Sequence, residues 1–400
     1  MNHISCSSVL VITHFPFPHF GGVSTAISNE MVFFTSKGCK MYLMYPPSEE
    51  GGNIKWRHNN LCLIPQNPSS NAILNVINKI RRCSTIKRVI NSNRIQKVIA
   101  HDVHSAFLCA LAGKGRNTLL YLHSIMSEDP LVFGKGFSNR TLSEKISFLA
   151  HYYVNLSIEL LTYNLVRAVV CVSEYEERDA ELKCLTNRKI HLIRNGVDTS
   201  VFKPDFRKKM KMRRFLNVAD KAKVCMFLGR MNPSKGLSTI AKSIEHLDDL
   251  KHEVFFVFVG EGPEEEIVKN YTQRMGFENV IFLRPIPARE ILPMADIFVS
   301  HVSSVIVGYG RTILEAMASE IPVVTGRDFI KEKVFAENKE IVFVRKDDPE
   351  SIAEEIRELV LNDNKRRIIG EKARKKVLKE FAIERNMERL ERISSLLISS

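Results

Sequence analysis

Short apolar runs rich in β-branched residues alternate with longer segments of helical period through both halves of the chain. In the first half the runs predict strands at 9–12, 41–45, 98–101, 119–123, 169–172 and 190–193. In the second half they predict strands at 224–228, 254–259, 280–283, 297–299, 322–325 and 341–344. Strands apolar at every position, with helices between them, read as parallel sheets covered on both faces. Two such series predict two doubly wound α/β domains. A length of 400 residues agrees, because one core rarely grows that large. The junction is expected where Asn195-Gly196-Val197-Asp198 leads through Lys203-Pro204 to the basic run 208–214. This gives domains over 1–200 and 201–375, followed by a C-terminal helix, 376–400, expected to pack back on the first domain.

No run of about 18 uncharged apolar residues occurs, so no membrane-spanning helix is predicted. The nearest candidate, 146–172, is interrupted by His151, Glu159 and Arg167 and reads as an amphipathic helix followed by a strand. The chain enters its first strand with no basic leader or cleavage site, and a cytoplasmic protein is expected. The eight cysteines are scattered without a CxxC pair, so reduced core thiols are expected rather than a metal site or disulfides.

Net charge is +13, and between Glu50 and Asp102 there are nine basic residues and no acid. Such a face suits an anionic membrane leaflet or a phosphate-bearing acceptor, or is simply a solvated helix face. The segment 73–99 mixes Ile, Leu and Val with Lys and Arg in the manner of an interfacial helix pair. Nucleic acid fits poorly, since Trp56 is the only aromatic residue in the basic stretch and no stacking platform results.

Ligands of doubly wound domains bind at the carboxyl ends of the strands, so strand-end residues are the candidates for chemistry. After the strand at 224–228 come Gly229, Arg230 and, past a turn, Lys235. A guanidinium fork and a compact ammonium suit a diphosphate. Further on, Gly308, Tyr309 and Gly310 precede a helix whose free N-terminal amides can hold phosphate or sugar oxygens. Arg311 and Thr312 open that helix, and Glu315 sits one turn in, where a carboxylate can accept two vicinal ribose hydroxyls. Gly260-Glu261-Gly262-Pro263 is a tight strand-to-helix turn. Gly21 and Gly22 follow the first strand and open a helix, allowing close backbone approach to an anion. They form neither a GxGxxG fingerprint nor a Walker sequence. His123 ends the strand at 119–123, a position suited to function.

Taken in order, these pieces resemble glycosyltransferase family 4. They are Gly-Gly-Val after the first strand, Asn-Gly-Val-Asp at the junction, Gly-Arg-x4-Lys-Gly after the second domain's first strand, and Glu-Ala-Met-Ala before Pro-Val-Val. The resemblance covers nearly the whole chain and is strongest over 220–325. It implies the GT-B fold, two Rossmann-like domains facing each other across a cleft. It also implies transfer of a hexosyl-type sugar, with retention and without a metal or other cofactor, from a nucleoside-diphosphate sugar to a lipid-linked, polysaccharide or other glycan acceptor. Arg230 and Lys235 would neutralise the leaving diphosphate, Glu315 would hold the ribose, and His123 would lie beside the donor sugar. Gly21, Gly22, Gly229, Gly262, Gly308, Tyr309, Gly310, Arg311 and Thr312 would complete the donor site. The chain departs from the family in one place: two glutamates bracketing seven residues are usual in the motif that ends at Glu315, and the first position, 307, here holds Val307. An epimerase on the same fold and a non-catalytic nucleotide-sugar binder are the alternative readings.

Overall fold

The computed structural model describes residues 8–18, 22–47, 59–66, 72–127, 141–219, 221–300, 302–303 and 309–395. The chain divides into two compact units, one formed by Met1–Arg194 with Arg385–Ser400 and the other by Asn195–Glu384.

The first unit holds a seven-stranded sheet. Its strands are β1 (Val9–Ile12), β2 (Met41–Tyr45), β3 (Leu61–Pro65), β4 (Lys97–Ala100), β5 (Thr118–Leu122), β6 (Ala168–Cys171) and β7 (Ile190–Leu192), in the order β3-β2-β1-β4-β5-β6-β7. The second holds six strands, β8 (Lys223–Leu228), β9 (Val254–Val259), β10 (Val280–Leu283), β11 (Ile297–Val299), β12 (Val323–Gly326) and β13 (Val342–Val344), in the order β10-β9-β8-β11-β12-β13. Every pairing is parallel. Both sheets reverse their winding beside their first strand, between β1 and β4 and between β8 and β11, which creates a crevice at the carboxyl ends there. The central strands are buried at every position, as their unbroken apolar character requires.

Polar side chains set the helix starts. Asp102 caps Val103–Leu111, Thr141 and Glu144 form a capping box on Leu142–Leu165, and Asp328 caps Phe329–Val334. Helix Asp363–Glu380 approaches helix Arg311–Ala318 so closely that a Cβ on Gly370 would lie 2.1 Å from the Glu320 carbonyl oxygen. The helix Ile383–Ser395 enters the first unit at Arg385. There Asn386 donates to the Arg194 carbonyl at 2.6 Å, and Glu391 pairs with Lys37 at 2.5 Å.

Three expectations need correction. β3 was absent from the sequence reading, although Leu61–Ile64 is an apolar run as long as that of β1; it is a half-exposed edge strand that ends at Pro65. The segment 73–99 is not a helix pair: one helix, Ala72–Ser92, precedes β4, whose Lys97, Val98 and Ile99 are buried. Cys39 is disulfide-bonded, its partner lying outside the described residues, so the cysteines are not all free thiols. Cys109, Cys171 and Cys225 are buried free thiols as anticipated.

Gly370→Ala is expected to destabilise the second unit by about 2–3 kcal/mol, the cost of forcing a methyl against fixed backbone. Denaturant unfolding measures it, and a change within a few tenths of a kcal/mol would show that the two helices separate freely.

Candidate functional site

In the second unit, two loops at the carboxyl ends of β8 and β9 zip together beyond the sheet. Gly229 donates to the Val259 carbonyl at 3.0 Å, Met231 to Glu261 at 2.8 Å, and Glu264 back to Met231 at 3.0 Å. This approach leaves no room for side chains. A Cβ on Gly260, which has φ +141°, would stand 1.9 Å from the Gly229 carbonyl oxygen, and one on Gly262 2.4 Å from that of Met231. The Gly262 requirement is thus explained by packing. Past the turn Pro233–Lys235, Gly236 adopts φ +75° and presses on the segment after β11, where a Cβ would meet Val302 Cγ2 at 2.5 Å. The Arg230–Gly236 loop is therefore fastened at the switch point of the second sheet.

Lys235 is half-buried on this loop, and burial pushes its ammonium down to about 7, with Arg230 and Lys331 lowering it further by repulsion. Arg230 is exposed. Lys331 is fully buried and paired with Asp328 at 2.8 Å, and burial lowers it as well. Three cations thus converge where an arriving anion would relieve their repulsion. Sequence reasoning missed Lys331, which lies mid-helix with nothing local to single it out.

Glu315 is buried in the helix Arg311–Ala318, and desolvation raises its carboxyl to about 7, against the opposing pull of Arg311 one turn earlier. Arg311 is half-buried and donates through Nη1 to the Gly196 carbonyl at 3.0 Å. Its charge serves the junction segment and Glu315, not only a ligand. Tyr309 directly precedes the N-cap of that helix. Its ring is buried edge-on against Phe335 and Phe381, with centroids at 5.4 and 5.6 Å, and so packs in a core cluster. Gly310 is the helix N-cap, and Thr312 is half-buried in its first turn. Gly21, Gly308 and Val307 lie outside the described residues, whereas Gly22 begins the helix Gly22–Ser36 and is exposed.

The first unit places His123 directly after β5, at a 210 Å³ cavity lined also by His14, His101, Asp102, His104, Ser124 and Asn155. His14 follows β1 and Asp102 follows β4, so the pocket sits at the switch point of the first sheet. His14 Nδ1 lies 2.7 Å from Asp102, whose carboxylate also accepts from the His14 amide at 2.9 Å and from the Ser105 amide at 2.6 Å. Burial favours the acid form of Asp102, yet these bonds and the His14 charge hold it down at about 2. The loop after β5 is pinned by buried Glu159, which accepts from the Ser127 amide and hydroxyl at 3.0 and 2.7 Å and pairs with Lys183 at 2.6 Å. His14, His101 and Asp102 obey the same strand-end rule that singled out His123, and that rule could have found them. A larger cavity of 510 Å³ lies at the amino ends of β9 and β10, lined by Val254, Phe256 and Val280, away from these groups, and is set aside. Among the described residues no cluster of His, Cys, Asp and Glu suits a metal ion.

Comparison with known proteins bears on what this arrangement is. Residues 20–201 match the model of Glycosyltransferase Family 4, and residues 208–376 match that of Glycosyl transferases group 1. The chain belongs to the family 4, group 1 glycosyltransferases. A GDP-mannose-dependent alpha-(1-6)-phosphatidylinositol monomannoside mannosyltransferase of Mycolicibacterium smegmatis is 33% identical over 141 residues, 33% of this chain and 37% of that protein. The sulfoquinovosyl transferase of Arabidopsis thaliana is 25% identical over 270 residues, 62% of this chain and 51% of that one. The matches thus span less than two thirds of these relatives. Among solved structures, Anabaena HepE in complex with UDP and glucose superposes with a TM-score of 0.78 at 16% identity, covering 97% of this chain and 99% of that one. The sucrose-phosphate synthase of Thermosynechococcus elongatus gives 0.81 at 15% identity, covering 98% and 99%. These likenesses give the GT-B fold.

Because Lys235 titrates near 7 when the site is empty, its charge is present below that pH and lost above it. Glu315 titrates in the same range, and its carboxylate form, the stronger hydrogen-bond acceptor, gains population as pH rises. The two effects oppose each other, so a Glu315→Gln background isolates the lysine. In that background, nucleoside-diphosphate affinity measured by calorimetry is expected to fall by up to about tenfold per pH unit above 7. Lys235→Ala should abolish the slope, and a slope that survives it would assign the titration elsewhere.

Proposed function

We propose that this protein transfers a hexosyl-type sugar from a nucleoside-diphosphate sugar to a lipid-linked or polysaccharide glycan acceptor, with retention of configuration. The observation that carries the reading is the convergence of Arg230, Lys235 and Lys331 at the switch point of the second sheet. Glycosyl transfer passes through an oxocarbenium-like state while negative charge grows on the departing phosphate. Cations already in place there lower the barrier without having to reorganise. They supply the neutralisation that a metal would otherwise give, and the proposed reaction needs none. Glu315 takes the ribose of the donor.

The departing phosphate accepts the proton of the acceptor hydroxyl as the new glycosidic bond forms and the bond to phosphate breaks. That step places the incoming oxygen on the face the phosphate leaves, which gives retention. The pocket of the first unit around His123 takes sugar hydroxyls, for which its histidines and Asn155 offer donors and acceptors.

A lipid-linked acceptor is supported by the helix Leu142–Leu165, where Leu142, Ile146, Leu149 and Tyr153 expose apolar surface at helical spacing. On the helix Ala72–Ser92, Arg81, Lys87 and Arg88 are exposed, as an anionic leaflet would require.

Two measurements test the reading. Arg230→Ala and Lys235→Ala should each lower kcat/KM for donor-dependent transfer by roughly 10²–10³, the scale of losing one preorganised electrostatic contact. Wild-type rates in either variant would remove the site from the reaction. Co-sedimentation with vesicles should rise with anionic lipid content and fall in Leu149→Glu, and binding indifferent to both would argue for a soluble glycan acceptor.

A further inference from the structure

We infer that Glu30 and His101 are positioning residues that orient His123 through a buried hydrogen-bond chain. The functional part of this inference rests on the assignment of His123 to the transfer reaction. The three groups come from three elements. Glu30 lies in the helix Gly22–Ser36, while His101 directly follows β4 and His123 directly follows β5. Glu30 Oε2 stands 2.9 Å from His101 Nε2, and His101 Nδ1 stands 2.9 Å from His123 Nε2. Glu30 and His101 are both fully buried, while His123 is half-buried at the cavity. The rings of His101, His123 and Tyr121 lie with their planes within 13° of one another.

Donor and acceptor roles follow from counting protons. A carboxylate only accepts, so His101 carries its proton on Nε2. A neutral imidazole has one N–H, which leaves His101 Nδ1 as an acceptor and makes His123 donate through Nε2. His123 is thereby held as one tautomer, with Nδ1 as the acceptor edge.

A purely structural role for Glu30 fits the structure poorly. Its second oxygen, Oε1, is buried without a hydrogen-bond partner among the described residues, and His101 is its only ion-pair partner there. A half-satisfied buried carboxylate costs stability, and an amide or apolar side chain would serve the packing of that helix better. Residues kept at such a cost belong to function more often than to the fold. The other titratable groups around the chain are Tyr121, stacked on both histidines, and the His14–Asp102 pair with His104 at the cavity wall.

The test combines kinetics, thermal unfolding and histidine NMR on the full chain. Glu30→Gln is expected to unfold at the wild-type temperature or above it, while kcat falls roughly 10- to 100-fold and the donor KM stays within about twofold. In a His123→Ala background the same substitution should cost nothing further, because both changes break one chain. An unchanged kcat in Glu30→Gln overturns the inference, as does a loss of equal size in both backgrounds accompanied by a fall in unfolding temperature. The NMR arm needs neither donor nor acceptor and so separates this inference from the proposed reaction. In ¹⁵N-histidine-labelled protein, the Nε2–H protons of His101 and His123 should exchange slowly, and both should lose protection in Glu30→Leu. A His123 proton that exchanges freely in the wild type, or keeps its protection in Glu30→Leu, overturns the chain whatever reaction the protein performs.

Discussion

Positive charge crowded at a sheet's switch point is the constraint around which the second unit is built. Lys235 is held where burial, Arg230 and Lys331 all disfavour its protonated form. A free loop would relax by swinging the ammonium into water. This loop cannot, because Gly236 lies against Val302 and Ser303 while the β8 and β9 loops are bonded edge to edge at glycine contacts. Backbone packing thus holds an electrostatic cost in place, which is how a preorganised site differs from a solvated pair of surface cations. Glu315 follows the same logic with the opposite sign, since desolvation lifts its carboxyl to about 7. Both groups weaken the unliganded fold, a trade commonly seen where residues serve binding.

The amino-acid sequence made much of this legible, and the reasons are physical. Strands of parallel sheets are largely apolar along their length, so twelve of them stand out as runs; β3 carries a comparable run, Leu61–Ile64, but in a stretch ended by Pro65 and half-exposed at the sheet edge, and it was passed over. Arg230, Lys235 and His123 could be singled out because ligands of doubly wound sheets bind at the carboxyl ends of the strands, and Glu315 because it sits one turn into a helix preceded by glycines. Proximity in sequence to a glycine turn says nothing about which way a ring points, and the Tyr309 ring points into Phe335 and Phe381. Lys331 and Glu30 were invisible, since each is one polar residue inside a helix, and only the tertiary fold reveals that it is buried beside other charges.

The helix 72–92 and β4 show why pattern alone fails at a boundary. Lys97 is basic and adjoins a basic helix, so the chemistry of the segment reads as continuous. Yet its backbone pairs with β1 at Val9, and the side chain is buried. Strand pairing outweighs the solvation of one ammonium, and burial correspondingly lowers the Lys97 pKa, against the pull of Glu391 from the returning C-terminal helix.

The two sheets share one winding order but carry different chemistry at the same place. The second sheet's switch point gathers fixed cations, and the first gathers histidines backed by the carboxylates of Asp102 and Glu30. Cations stabilise charge that has already separated, whereas a carboxylate–histidine pair fixes which ring nitrogen accepts. The contrast between the two histidine-bearing carboxylates sharpens the point. Asp102 accepts bonds from the His14 ring, two amides and the Ser105 hydroxyl, so it is satisfied by its own loop and anchors that loop. Glu30 has one oxygen engaged, and by His101 alone among the described residues. Of the two, Asp102 is therefore satisfied within its own loop, whereas Glu30 reaches across to a ring at the next strand end.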